Sequence, residues 1–125
     1  MEALRVFCQE VLPLDDDRLS EARVVMVFWQ QALGDPERAA MHEQSIFRWI
    51  DQIQEYLAQA RATREIHAEL SNAVLAGIIM NVLLGAQISA ALSTSPTFSS
   101  DLSDQIEGLL QLTDQSTQNQ ALSKP

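Results

Sequence analysis

Apolar residues recur every three to four positions along most of the chain, and no stretch sustains the period-two alternation of a half-buried strand. The first segment places Leu4, Phe7, Cys8 and Val11 on one face and stops at Pro13. Asp15, Asp16 and Asp17 then supply a cap and first-turn acids for a second helix reaching about Leu33. In the following "LGDPE", Gly34 suits a left-handed helix end, Asp35 the next cap and Pro36 the first helical position. So short a link predicts that the second and third helices fold back on each other. The third helix is expected over about Pro36 to Arg64, with Ile46, Ile50, Ile53, Leu57 and Ala60 along one side. A turn around "REIHAEL" leads to Ser71, a good cap for a fourth helix. "STSPTFSS" reads as a loop. A fifth helix over about Asp101 to Thr113 aligns Leu102, Ile106, Leu109 and Leu110. The expected organisation is one all-α domain, a five-helix bundle over residues 1–114, followed by a polar, disordered tail at 115–125.

The fourth segment departs from this amphipathic rule. "NAVLAGIIMNVLLGAQISAAL" is apolar nearly all round, and no charged residue occurs between Ser71 and Ser100. It is long enough to cross a bilayer. Its nearest flanking charges, Glu69 and Asp101, are acidic, and it lacks the basic flank and aromatic anchors of a typical span. The reading preferred here is a helix covered by protein. Ten Val, Ile, Leu or Met side chains at about 1.5–3 kcal/mol each give a gross burial term of about 15–30 kcal/mol. Four other helices of a small chain struggle to cover that circumference, so the natural cover is a second copy. Ala73, Gly77, Asn81, Gly85 and Ser89 recur every fourth residue, a strip along which another helix can approach closely. Leu84 and Ile88 on the fourth helix, with Leu102, Ile106, Leu109 and Leu110 on the fifth, complete the expected dimer interface, a four-helix bundle between two copies.

The length of 125 residues allows one domain with a real core. The single cysteine, Cys8, excludes an internal disulfide and fits a reducing compartment, and "MEALRVFCQE" does not read as a signal peptide. Eight basic residues against 17 acids give a net charge of −9, with no basic run. Phosphate neutralisation needs Lys and Arg, so this polypeptide alone is a poor candidate for touching DNA or an anionic membrane.

The order of these segments resembles the C-terminal, ligand-binding and dimerisation half of TetR/AcrR-family transcriptional repressors. The likeness is carried by "EALRVFCQEVLPLDDDRLSEARVVMVFWQQALGDPERAAMHEQSIFRWIDQI" and by "EIHAELSNAVLAGIIMNVLLGAQ", and covers about residues 2 to 114. Gln87 stands where the family's dimer helix often ends in Gly-Leu-x-x-Gln, without the Asp-Gly that usually precedes it. The resemblance implies a cytoplasmic bacterial homodimer that binds a small apolar effector and meets DNA only through an N-terminal helix-turn-helix domain. That domain is missing here, so the chain reads as a separated domain, a fragment or a headless homologue. Two other classes remain open: a stand-alone helical interaction protein forming mixed dimers with a full-length partner, and a small protein anchored in a membrane by residues 72–92.

Candidate chemistry is sparse. His42 and Glu43 open like a zinc-protease motif, but Ile46 stands where the second His must be, and His67 has no partner at ligand spacing. With no phosphate loop and no nucleophile beside a base, neither catalysis nor a metal or cofactor is expected. Cys8 is expected as a packed thiol. What remains is the effector cavity that the resemblance implies. Its candidates are Val25, Phe28 and Trp29 on the second helix and Phe47, Ile50 and Gln54 on the third. Ile78, Asn81 and Val82 on the fourth complete it. A buried amide needs a hydrogen bond, and for Asn81 and Gln87 a bond across the dimer is preferred over a ligand contact. His42, near the start of the long third helix, is a candidate anchor in that cavity, but a solvent-facing position is preferred.

Overall fold

The computed structural model describes residues 1–66, 69–93 and 98–114; His67 and the tail from Gln115 lie outside them. Five helices follow in order: α1 (Glu2–Val11), α2 (Asp16–Ala32), α3 (Pro36–Ala62), α4 (Asn72–Leu92) and α5 (Phe98–Asp114). No strand occurs among the described residues.

The caps are the ones the sequence calls for. Asp15 accepts from the Arg18 N–H at 2.8 Å, Asp35 from the Glu37 N–H at 3.0 Å and Ser71 from the Val74 N–H at 3.2 Å. Each satisfies a backbone donor that the first turn leaves unpaired. Pro36 occupies the start of α3. Three boundary expectations need correction. Gly34 is not left-handed: among the described residues no glycine has a positive φ. The α2–α3 link instead closes by tight i→i+3 bonds, Gly34 N–H to Gln31 C=O at 3.2 Å and Asp35 N–H to Ala32 C=O at 3.3 Å. The left-handed residue is Arg64, at φ 60°, which ends α3 two residues earlier than expected. Its N–H bonds the Arg61 carbonyl at 3.0 Å and the Glu65 N–H bonds that of Ala60 at 2.8 Å, the double closure of a Schellman motif. Finally, α5 takes in Phe98–Ser100 from the stretch read as loop. Serine disfavours a helix interior but not a first turn, whose backbone donors are free.

The core lies at one end of the bundle. Leu4, Cys8 and Leu12 meet Ile53, Leu57 and Ala60 of α3, the buried face of α4, and Leu102, Ile106 and Leu110 of α5. Phe7 and Tyr56 pack with ring centroids 5.8 Å apart. Arg5 on α1 reaches Glu107 on α5, and Arg61 on α3 reaches Asn72 at the start of α4. The other end is loosely filled. No residue of α3 before Ile53 is buried, and α2 buries only Ala22 and Ala32.

α4 packs against α2, α3 and α5, and divides sharply into two sides. Leu75, Ala76, Ile79, Met80, Leu83, Ala86, Gln87 and Ala90 are buried. The opposite side carries Val74, Ile78, Asn81, Gly85, Ile88 and Leu92, all exposed and spaced alternately by four and three residues. Val74 is 49% exposed and Leu92 72%. The helix has the length and apolarity to cross a membrane, yet eight of its 21 residues are buried at the centre of this bundle.

Candidate functional site

The poorly filled end of the bundle contains two open clefts that share a wall. The first, about 330 Å³, runs between α2 and α3 and is lined by Val25, Phe28 and Trp29 from one side. Met41, His42, Ser45, Arg48 and Trp49 line it from the other. The second, about 340 Å³, lies where α2, α3 and α4 meet, among Trp29, Ala32, Leu33, Ala39, His42, Leu84 and Ile88. Trp29 and His42 belong to both. Their rings stand edge to face, centroids 5.3 Å apart at 64°, and form the partition. Both volumes lie within the range of small-molecule sites.

The local cause is the composition of these helix faces. α2 carries Val25, Phe28 and Trp29 within one and a half turns, and the first half of α3 answers with Met41, Ile46 and Trp49. Large, rigid rings meet at an αα-hairpin whose first cleft is lined by α2 and α3 alone. Trp29 and Trp49 are only half-buried and Met41 is 61% exposed, so their edges bound open space.

Of the cavity candidates read from the sequence, Val25, Phe28 and Trp29 line the α2–α3 cleft. The rest do not converge on it. Phe47 projects outward and is 55% exposed, Ile78 and Asn81 lie on the open side of α4, and Ile50 and Val82 pack on the core. Gln54 is half-buried outside both clefts. Helical periodicity identifies an apolar face without saying which neighbour covers it, and residues one turn too far along α3 were grouped with the cleft for that reason. His42 lines both clefts and is half-buried, the anchor position rather than the solvent-facing one preferred from the sequence. Its signal was its place two turns after Pro36 on the helix that must fold back onto Trp29.

Gln87 is resolved differently from the sequence expectation. Its side-chain amide donates to the Val11 carbonyl at 3.0 Å, inside the same chain, and so satisfies an orphan acceptor at the end of α1. It is not a bond across a dimer. Asn81 is exposed on α4. Of the interface candidates, Ala73, Gly85, Ile88 and Ser89 are exposed, and Gly77 and Leu84 partly so. Leu102, Ile106 and Leu110 are 1–2% exposed within the protomer, and Leu109 packs against the same cluster. Those α5 residues are already covered by their own chain, whose outward α5 positions include the polar Asp101, Asp104, Gln105 and Gln111.

Burial pushes the Cys8 thiol up to about 11, so it is protonated and unreactive at neutral pH. The clefts hold no nucleophile paired with a base. Compared with known families, residues 1–111 match the one described as BetI-type transcriptional repressor, C-terminal. No curated protein aligns significantly with the chain.

Proposed function

From the premise that this chain belongs to the family of BetI-type transcriptional repressor C-terminal domains, we propose that it is the effector-sensing and homodimerisation domain of a TetR-family repressor. The single observation that carries this reading is the pair of clefts meeting at Trp29 and His42, in the loosely filled end of the bundle. Their walls are mainly aromatic and aliphatic, which suits a small, largely apolar ligand held by few polar anchors.

The exposed side of α4 supports the dimer. Val74, Ile78, Asn81, Gly85, Ile88 and Leu92 alternate by four and three residues, the spacing of a helix–helix seam. A second copy covers it, with Gly77 and Gly85 permitting close approach. Asn81 sits in the middle of this seam, where a lone amide fixes register by bonding across it. Ile88 belongs to both features: it lines the second cleft and lies on the seam. A ligand filling that cleft therefore presses on the surface that sets how two copies sit together. It shifts the equilibrium between two subunit arrangements only by its difference in affinity for them. The regulator's DNA-binding domain reads out the shift. Such a regulator works in the cytoplasm.

Thermal melts against a panel of small apolar and amphipathic compounds test the ligand reading. Binders raise the midpoint by mass action, about 2.7 kcal/mol of stabilisation at a hundredfold excess over Kd. Trp29→Ala and His42→Ala reduce the shift. Shifts indifferent to both substitutions overturn the assignment. A headless interaction protein that only forms mixed dimers binds no compound in these clefts.

A further inference from the structure

The charged groups around the first cleft run against the rest of the molecule. The chain carries 17 acids and eight basic residues, yet the cleft is lined by Arg48 and His42 and by no carboxylate. Glu37, Glu43, Asp51 and Glu55 on α3 and Asp16, Asp17 and Glu21 on α2 are exposed and outside its walls. Arg48, which is exposed, also stands outside the ion pairs that engage three of the other arginines. Arg5, Arg18 and Arg38 each pair with a carboxylate within 4 Å. Arg48 has none at that distance among the described residues; its Nη2 donates to the Ser45 hydroxyl at 3.2 Å. That hydroxyl in turn donates to the Met41 carbonyl at 3.2 Å. The guanidinium is thus held at the wall of an aromatic cleft with donors to spare, beside an imidazole that can donate in either protonation state. The adjoining cleft shares Trp29 and His42 with the first and is otherwise walled by Ala32, Leu33, Ala39, Leu84 and Ile88.

Resting on the sensor reading above, we infer that the ligand is an amphipathic monocarboxylic acid. Its carboxylate meets Arg48, with His42 as a second donor, and its apolar body lies among the Trp rings and extends toward Leu84 and Ile88. A guanidinium recognises a carboxylate by charge-assisted, geometrically matched bonds. The distant part of the net charge of −9 opposes this little, because charges more than about 8 Å away are largely screened at physiological salt; Asp51, one turn along α3 from Arg48, lies outside the cleft wall. A quaternary ammonium could use the faces of the two Trp rings, but it would meet Arg48 and no acid.

The test uses three ten-carbon probes differing only in head group: decanoate, 1-decanol and decyltrimethylammonium, each below its aggregation concentration. Intrinsic fluorescence reports locally, since both tryptophans of the chain line the first cleft. Decanoate is expected to bind tightest. Arg48→Gln weakens decanoate roughly five- to tenfold, the scale of a partly solvated charge-assisted bond, and leaves decanol unchanged. Arg48→Lys keeps most of the decanoate affinity. Far-UV circular dichroism verifies that both variants fold. Decyltrimethylammonium binding as tightly as decanoate, or Arg48→Gln weakening decanol equally, overturns the head-group inference while the sensor reading stands. Failure of all three probes to bind the folded chain overturns both.

Discussion

Gly77 and Gly85 sit in the middle of a 21-residue helix, on or beside its exposed side, and a Cβ added at either meets nothing within 4 Å. For an isolated protomer that is an expensive choice. Each Gly→Ala change in an exposed helix interior stabilises by about 0.8–1.0 kcal/mol, so the double variant gains about 2 kcal/mol. For 125 residues, with an unfolding entropy of about 2.1 cal/mol/K per residue, that raises the melting midpoint by roughly 7 °C. If α4 approaches a second copy along this strip, the added methyls crowd a close contact. Overpacking of about 1–3 kcal/mol then weakens association roughly five- to 150-fold. Thermal melts at protein concentrations well below and well above the dissociation constant, with sedimentation at each, separate the two effects. The expected pattern is a higher midpoint for the dilute variant together with weaker self-association. A variant that is more stable and dimerises as tightly as the parent refutes close approach at the glycines. One that is no more stable when dilute refutes the placement of this face in solvent.

Three further outcomes follow from local features. Gln87→Leu removes the donor to the Val11 carbonyl and leaves an orphan acceptor, lowering stability by about 1–2 kcal/mol in denaturant unfolding without altering self-association; a change in association instead would return Gln87 to the interface. Arg64→Gly relieves the left-handed backbone that ends α3 and raises stability by about 1 kcal/mol, or roughly 4 °C, whereas Arg64→Val lowers it. The Cys8 thiol ionises less readily folded than unfolded. Its contribution is intact below the unfolded value near 9 and is lost as pH rises through the folded value of about 11, a fall of about 2–3 kcal/mol. Chemical unfolding between pH 8 and 11 should show that slope in the parent and not in Cys8→Ala.

Much of the architecture was legible because it is written locally. Asp15, Asp35 and Ser71 announce helix starts by the chemistry of backbone donors, and the α2–α3 hairpin follows from a link too short for anything else. Val25, Phe28 and Trp29 were candidates for the cavity that the family resemblance implies, and they line the α2–α3 cleft. The partners of each face were not legible. Gln87 looked like interface chemistry, and the acceptor that satisfies it lies 76 residues away at the end of α1. Leu102, Ile106 and Leu110 have the periodicity of any apolar face, and only the packing of α1 and α4 against α5 decides that they are used inside the protomer. α4 is apolar all round, so its sequence offers no contrast between the side that meets its own chain and the side left open. The resemblance to a dimeric family pointed to α4, one side of which the protomer leaves exposed, and to α5 residues that the protomer itself buries.

The central claim is that the open side of α4 is covered by a second copy, which joins the clefts to the subunit contact through Ile88. Sedimentation equilibrium of the 125-residue chain at micromolar concentration, in buffer without detergent, tests it most directly. The account requires a species of twice 13.9 kDa that an aspartate at position 78 (Ile78→Asp) converts to single chains. A folded, monodisperse 13.9 kDa particle across that range, with the α4 seam intact, contradicts it.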